Sequence, residues 1–139
     1  MEQKAKFSQS EKGISNKEIE EFEQKFNIVL PANYKKLILI HNGGENENDD
    51  MLLSSLRSIK YGKFTLEQSI RILQIVEENI PRNYLPFADT GTGNIIALNV
   101  EKGNEFGKIY LFRHDELKPI LLKESLEEIL GVKNIEELD

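Results

Sequence analysis

The sequence predicts an α+β domain in which helices pack on one antiparallel sheet with a central β-meander. Three short runs rich in apolar, β-branched and aromatic residues lie close together, at 85–88, 95–100 and 108–112, and segments rich in Gly, Asn and Asp separate them. This pattern is typical of successive antiparallel strands. The segments before and after these runs have helical periodicity, so we expect the helices to bury their apolar faces against the sheet.

Length and composition limit the class of protein. The 139 residues have the size of one domain, and no repeat or linker divides residues 1–139. The chain has no cysteine, which excludes disulfides and thiolate metal sites and suits a reducing cytosol. No apolar run could span a bilayer and no signal-peptide core follows Met1, so we expect a cytoplasmic protein. The formal charge of -6 disfavours the phosphate backbone of nucleic acid as a partner and suits a basic protein.

The first helix follows a polar lead-in at 1–13, which we expect to be flexible unless Phe7 fixes it as an edge strand. Ser15 and Glu18 have the spacing of a capping box, which predicts the start of the helix. Asn27 is predicted to end it. Apolar residues at helical spacing predict the buried face: Ile19, Phe22 and Phe26.

The second helix is predicted to begin at Pro31, because proline has no N–H to lose and its fixed φ suits a first helical turn. Leu30 precedes it in an extended segment. The predicted buried face carries Tyr34, Leu37, Ile38 and His41. Asn42, Gly43 and Gly44 tolerate left-handed backbone, so we expect them to form the C-cap.

The strongest charge run of the chain occupies residues 45–50. It contains no apolar residue that would anchor it, which predicts an exposed, mobile loop. The glycine and the distal glutamate of an EF-hand are missing, so the run does not predict a calcium site. Such a run is most often only solvated. The functional alternative is a surface that docks a partner, formed by Glu45, Glu47, Asp49 and Asp50.

A third helix is predicted after a short strand or irregular connection at 51–59. Thr65 and Gln68 have the spacing of a second capping box, and Pro81 closes the helix. Its buried stripe is predicted on Leu66, Ile70, Leu73, Glu77 and Ile80, widened by Ile72, Ile75 and Val76.

The C-terminal part predicts one more strand at 120–122. A short helix over 125–130 follows, and Gly131 is expected to end it. Asn134 with Glu137 can cap a last turn.

Residues 87–92 include the Asp-Thr-Gly signature of aspartic proteases. In such an enzyme two copies of Asp89 would meet across a dimer and share one proton. Retropepsin-like chains are nearly all β, whereas capped helices surround this motif, so we favour a structural interpretation. Asp89 and Asn94 would bond backbone groups in a tight turn, and Gly91 and Gly93 would supply positive φ.

Other catalytic and metal-binding patterns are weak. His41 and His114 are the only histidines, too few for the His-Asp sites of metal-dependent phosphohydrolases. A thiol nucleophile is excluded, and no Ser-His-Asp arrangement is visible as a triad. The glycines at 91 and 93 lack the third glycine and the lysine of phosphate-binding loops. We therefore expect no metal, no cofactor and no enzymatic activity.

Several motifs follow one another in a fixed order along the chain: Leu30-Pro31-x-x-Tyr34, Asn42-Gly43-Gly44, Phe87-Ala88-Asp89-x-Gly91-x-Gly93-Asn94, the strand with Lys108-Ile109-Tyr110, and the helix at 125–130. In this order they resemble the SUKH superfamily, whose namesakes are fungal regulators of cell-wall synthesis. The resemblance covers about residues 14–130. It implies an α+β fold without catalytic apparatus.

Under this resemblance the motif residues are structural. Leu30, Pro31 and Tyr34 would start and pack the second helix, and Gly43 and Gly44 would turn the chain. Asp89 with Asn94 would tie the hairpin.

Bacterial SUKH proteins are chiefly immunity proteins, which bind and neutralise a cognate polymorphic toxin, often a nuclease. A nuclease must attract phosphate, so its active site is usually basic, and an acidic inhibitor can associate with it quickly. The resemblance thus implies an immunity protein with a basic toxin domain as its partner. The alternatives are a regulatory or scaffold protein like the fungal namesakes and, less favoured, a dimeric aspartic protease that uses Asp89.

Overall fold

The computed structural model describes residues 4–76, 80–113 and 118–138. Within these residues, seven strands form one antiparallel sheet whose strand order is the order of the chain. The strands are β1 (Phe7–Ser8), β2 (Gly44–Asn46), β3 (Leu53–Leu56), β4 (Tyr84–Thr90), β5 (Ile95–Asn99), β6 (Ile109–Phe112) and β7 (Pro119–Lys123). Four α-helices accompany them: α1 (Asn16–Phe26), α2 (Ala32–Ile40), α3 (Leu66–Ile70) and α4 (Leu126–Leu130). The α+β class with a central meander, β4 to β6, is confirmed.

The two faces of the sheet have different neighbours. Successive side chains of a strand point to opposite faces, and residues paired across strands share a face. The first face packs into the main core with the helices and includes Ile96, Leu98, Ile109 and Leu111. The second face holds a smaller cluster at the β5–β6 end, formed by Ala97, Tyr110 and Phe112 with Ile80. At the β2–β4 end the second face carries polar residues, and this difference positions the site described below.

The start of α1 is confirmed in atomic detail. The Glu18 N–H donates to Ser15 Oγ at 3.2 Å, and the Ser15 N–H donates to Glu18 Oε1 at 3.0 Å. Asn27 ends the helix in the left-handed conformation, with φ of 54°. The lead-in before the helix forms an edge strand, which was the alternative prediction. Phe7 is buried there and pairs with Asn46 of β2.

The predicted C-cap of the second helix is wrong. Helix α2 ends at Ile40, and its C-cap is His41, which is extended rather than left-handed. Gly43 and Gly44 do have positive φ, 82° and 128°, but they serve the turn into β2. The Asn42 side chain, described below, makes bonds outside the helix, and these fix that turn.

The predicted loop at 45–50 is also wrong at its beginning. Residues 44–46 form β2, a central strand paired with both β1 and β3. Glu45 pairs with Ser8 on one side and with Ser55 on the other. Backbone pairing with β1 and β3 therefore holds this segment in place, although its residue types predict a loop.

The third helix has its predicted start, because the Gln68 N–H donates to Thr65 Oγ1 at 3.2 Å. It is α-helical only to Ile70 and continues as a π-helix over Arg71–Val76. Ile72 is 47% exposed, so its predicted place in the buried stripe is wrong. The predictions for Ile75, Val76 and Glu77 lie outside the described side chains.

The C-terminal elements agree with the sequence. Ser125 caps α4 by accepting a hydrogen bond from the Glu128 N–H, and Gly131 ends the helix with φ of 73°. The Asn134 N–H donates to Glu137 Oε2 at 2.9 Å, which caps a last 3-10 turn at Ile135–Leu138. In the described part of the chain, none of the helices has the length and apolar character that crossing a bilayer requires.

Candidate functional site

The four acidic residues proposed for docking lie together at one end of the sheet. Glu45 is on β2, Glu47 follows directly, and Asp49 and Asp50 occupy the turn that leads to β3. All four side chains are exposed. We call this segment, residues 45–50, the acidic turn.

The acidic turn is built around the buried side chain of Asn46. Its Oδ1 accepts hydrogen bonds from the N–H groups of Lys6 and Asn48, both at 3.1 Å, and its Nδ2 donates to the carbonyl of Leu53 at 2.9 Å. One amide thus joins the residue before β1, the turn and β3. A buried, fully bonded amide favours a single backbone conformation. The acidic side chains are therefore displayed on a hydrogen-bonded frame.

Most of the negative charge of the acidic turn is not neutralised within the protein. Glu47 approaches Lys6 at 4.0 Å, and both side chains are largely exposed, so this pair contributes little. In the described part of the chain, Glu45, Asp49 and Asp50 make no ion pair. The negative electrostatic potential of these carboxylates therefore extends into the solvent, where a partner would meet it.

A groove of about 570 Å³ opens on the second face of the sheet next to the acidic turn. Glu45, Ser55 and Asp89 follow one another across β2, β3 and β4 as paired residues, so they share that face. The strand residues and two loops line the groove: Gln9, Glu11, Gly44, Glu45, Ser55, Leu56, Arg57, Ser58, Gly62, Lys63, Phe64 and Asp89. We call it the β2–β4 groove.

Asp89 has a different role from the one that the sequence predicts. Its Oδ1 accepts a hydrogen bond from Arg57 Nη2 at 2.8 Å, in a pair that is about three-quarters buried. A guanidinium stabilises a separate negative charge, whereas a protease dyad needs a second carboxyl group to share a proton. The geometry around Asp89 thus gives no support to the protease alternative.

The hairpin turn after Asp89 is tied by the next residue. Thr90 Oγ1 accepts hydrogen bonds from the N–H groups of Thr92 at 3.3 Å and Asn94 at 3.0 Å. The Asp89 carboxylate, predicted to tie the turn, bonds Arg57 instead, and the threonine hydroxyl holds the turn from the next position. Gly93 has the expected positive φ, 87°, whereas Gly91 does not.

Asn42, predicted to help end the second helix, is buried, and its side chain hydrogen-bonds two separate segments of the chain. Its Nδ2 donates to the carbonyls of Lys12 and Ile59 at 2.8 and 3.0 Å, and its Oδ1 accepts from the Ile59 N–H at 2.8 Å. The residue is 2% exposed. These bonds hold the segment after β3 against the lead-in, and both segments border the β2–β4 groove.

The two glycines after Asn42 allow close backbone contacts. A Cβ on Gly43 would lie 2.9 Å from Ser58 Cβ, and a Cβ on Gly44 would lie 2.7 Å from the carbonyl oxygen of Ser8. Both values are shorter than real Cβ contacts. Glycine at these positions lets β1, β2 and the segment after β3 meet, and this places Glu45 in the groove.

The remaining motif residues lie in the core. Leu30, Pro31, Tyr34 and Phe87 are all buried. The rings of Tyr34 and Phe87 meet edge to face at 5.7 Å, a favourable aromatic geometry. Burial raises the pKa of Tyr34. Its hydroxyl has no hydrogen-bond partner among the described residues, and Tyr34 is not one of the residues that line the β2–β4 groove.

A salt-bridged carboxylate anchors the loop that borders the groove. Glu18 Oε2 accepts from Lys60 Nζ at 2.8 Å and from the Tyr61 hydroxyl at 2.6 Å. Hydrogen bonds from Lys60, Tyr61 and Ser15 lower the pKa of Glu18 from 4.5 to about 2. The same carboxylate therefore caps α1 and fixes the loop after β3.

Glu18→Gln is expected to flatten the acid dependence of stability. The pKa of Glu18 is lower in the folded chain, so its contribution is complete above about pH 4.5 and is lost as the pH falls to about 2. Glutamine keeps the capping bond and does not titrate. Urea unfolding at about pH 2.5, 3.5 and 4.5 covers the range over which such a carboxyl titrates, and unfolding at about pH 7 gives the reference. The free energy of unfolding at each pH measures the acid dependence of stability. The matched control is Glu20→Gln, exposed on the same helix, and equal pH slopes for the two variants would contradict the assignment.

Within the described residues, no three His, Cys, Asp or Glu side chains are arranged so that they could hold a metal ion. His41 is half-buried, with its Nε2 at 2.7 Å from the Leu138 carbonyl and its ring against Phe7. The prediction for His114 lies outside the described residues.

Three residues of the groove were missed in the sequence. Phe64 is 75% exposed, and Arg57 and Glu11 line the same groove. The signal that could have found Phe64 was its place after Gly62 and directly before the capping Thr65, because a residue between a turn and an N-cap has little chance of burial. A second cavity, of about 1090 Å³, lies near Phe26 and Val100, and none of the predicted site residues lines it.

Comparison with known proteins matches the chain to a family model. The sequence model of the SMI1 / KNR4 family (SUKH-1) matches residues 13–131. The match includes β2 to β7 and all four α-helices, and thus the acidic turn and most of the β2–β4 groove. No curated protein matches the chain.

Proposed function

The chain belongs to the SMI1 / KNR4 family (SUKH-1), and from this membership we propose that it is an immunity protein, which binds and neutralises a cognate toxin domain. Neutralisation would be by protein–protein contact, and the proposal assigns no catalysis to this chain. The single observation that carries the proposal beyond the family is the acidic turn, whose four exposed carboxylates follow the bonded frame of Asn46 and make, among the described residues, only the weak contact between Glu47 and Lys6.

The charge of the acidic turn indicates the kind of partner. A cluster of carboxylates on a rigid frame attracts a basic surface and orients the encounter. Nucleases have such surfaces because they bind phosphate, so we propose a nuclease as the toxin. The frame keeps the carboxylates in place before binding, which reduces the entropy lost on association.

A co-expression experiment tests the proposed function. Where the neighbouring reading frame encodes a large secreted protein, its C-terminal domain is the probe, expressed from an inducible promoter. Cells that also express this chain are expected to grow, and the two purified proteins are expected to form a stable complex. Cells that die despite soluble expression of the chain would contradict the immunity function and favour the regulatory alternative.

Reversing the charge of the acidic turn is expected to weaken the complex. We expect the variant with Lys at positions 45, 47, 49 and 50 to bind the toxin domain at least about tenfold more weakly, mainly through slower association, with a flatter dependence on salt. Its melting temperature should stay near that of the wild type, because all four side chains are exposed. Surface plasmon resonance at several salt concentrations measures the affinity and its salt dependence.

A pair of variants separates the position of the charge from its amount. Asp49→Lys with Asp50→Lys changes the net charge as much as Glu20→Lys with Glu21→Lys, which lie exposed on α1. We expect only the first pair to reduce affinity strongly. Equal losses for both pairs would mean that net charge, and not the acidic turn, controls binding.

A further inference from the structure

The β2–β4 groove combines an exposed aromatic ring with unpaired carboxylates. Phe64 is 75% exposed, more than any other large apolar side chain described. Phe64 lines the groove together with Glu45 and Glu11. Exposed aromatic residues that border a cavity are common anchors for a partner. The site is therefore more than a cluster of acids.

The loop that carries Phe64 is fixed at both ends. The Leu66 N–H donates to the Ser58 carbonyl at 2.6 Å, and the Lys60 N–H donates to Glu67 Oε2 at 2.9 Å. The Glu18 contacts described above hold the same loop from α1. Phe64 thus stays exposed although its loop is anchored, so binding does not have to order it first.

The charges in the groove favour a cation. Asp89 is already paired with Arg57, whereas Glu11 and Glu45 make no ion pair within the described residues. Lys63 brings a positive charge to the rim. Two unpaired carboxylates beside an aromatic ring form the combination that binds an arginine: the planar guanidinium stacks on the ring and donates hydrogen bonds to carboxylates.

We propose that the β2–β4 groove binds an arginine side chain from a basic segment of the partner, with the guanidinium between the Phe64 ring and the Glu45 carboxylate. This inference rests on the proposed function, because it specifies where the toxin domain docks. Most of the residues that line the groove are polar or charged, Ser55 and Ser58 among them, so an occupant with a charged end matches the lining better than a wholly apolar one. The volume of about 570 Å³ leaves room for a long side chain and the backbone next to it.

A defined peptide tests the groove without the toxin. The probe is the synthetic peptide acetyl-Gly-Arg-Gly-Arg-Gly-amide, titrated into the full chain labelled with nitrogen-15. We expect amide shifts that saturate and that cluster at residues 9–11, 44–45, 55–58 and 62–64. The same peptide with citrulline at both arginine positions has nearly the same shape and no charge, and it is expected to give no saturable shifts.

Two variants and two controls locate the binding. Phe64→Ser and Glu45→Gln should each weaken binding of the arginine peptide roughly threefold or more, as expected for loss of one cation–π contact or one charge pair. Val29→Ser removes another exposed apolar side chain, and Glu20→Gln removes another exposed carboxylate. These two controls should bind the peptide like the wild type.

The possible results distinguish a failure of the proposed arginine site from a failure of the proposed immunity function. Shifts outside the groove, equal shifts with the citrulline peptide, or unchanged affinity in Phe64→Ser would overturn the groove, even if the wild type rescues cells from the toxin. If the peptide binds as expected and the wild type fails to rescue cells, the groove stands as an arginine site and the immunity function is wrong. An absence of any shift at millimolar peptide also overturns the inference.

Discussion

Asn42→Ala is expected to lower the free energy of unfolding by about 3 kcal/mol, because the change leaves several buried groups without partners. The Asn42 side chain satisfies the N–H and the carbonyl of Ile59 and the carbonyl of Lys12. Alanine cannot replace any of these bonds, and the site is too buried for water to reach it freely. Urea unfolding at 25 °C measures the loss.

Two further substitutions test this assignment. Asn42→Asp keeps the shape and the acceptor for Ile59, but it turns a negative oxygen toward two carbonyls, so we expect a loss at least as large as that of alanine. Asn104→Ala changes an exposed asparagine in the turn between β5 and β6 and should stay within about 0.5 kcal/mol of the wild type. If Asn42→Ala lowers the free energy of unfolding by less than about 1 kcal/mol, the hydrogen bonds of the Asn42 side chain are not important for stability.

Gly44→Ala is expected to destabilise the protein by about 3 kcal/mol, through backbone strain and a steric clash together. Gly44 has φ of 128°, and a Cβ would lie 2.7 Å from the carbonyl oxygen of Ser8. That oxygen belongs to the backbone of β1 and cannot move without disturbing the β1–β2 pair. Hydrogen exchange should therefore speed up at Phe7 and Ser8 as stability falls.

Gly103→Ala separates the two causes. Gly103 has a similar φ of 140°, but no heavy atom lies within 4 Å of the position that a Cβ would take there. The variant carries the strain without the clash, so we expect a loss of about 1 to 2 kcal/mol. If Gly44→Ala is no worse than Gly103→Ala in urea unfolding, the close contact with Ser8 has no energetic weight.

Local signals explain why much of the fold could be predicted from the sequence. The capping residues Ser15, Thr65 and Ser125 bond to backbone three residues later, so their pattern is readable within four positions. The meander is equally local, because its strands follow one another with Gly- and Asn-rich turns between them. The meander strands and the capped helix starts defined in this way are found where expected.

Non-local pairing explains what could not be predicted. β2 has the composition of a loop and is a strand only because β1 and β3 pair with it from distant parts of the chain. The π-helix at Arg71–Val76 has no distinct residue pattern. Arg57 and Asp89 lie 32 positions apart and meet only when β3 pairs with β4.

The candidate site, like the fold, could be predicted from the sequence only in part. Charge density alone pointed to the acidic turn, because a run of carboxylates is visible in any window of the sequence. The groove beside it depends on sheet register, which brings Glu45 and Asp89 onto one face, and on the loop that exposes Phe64. The pattern of a single segment contains neither of these facts.

The agreement between strand order and chain order also has a consequence for how the protein folds. Strands β4 to β7 are joined by brief connections, so their closure costs little chain entropy, whereas β1 reaches β2 only after α1 and α2 are in place. The β1 edge, with the groove residues Gln9 and Glu11 next to it, is therefore expected to assemble after the meander and to open before it. A bound partner would protect that part most, and its capture would slow local unfolding and proteolysis of the N-terminal half.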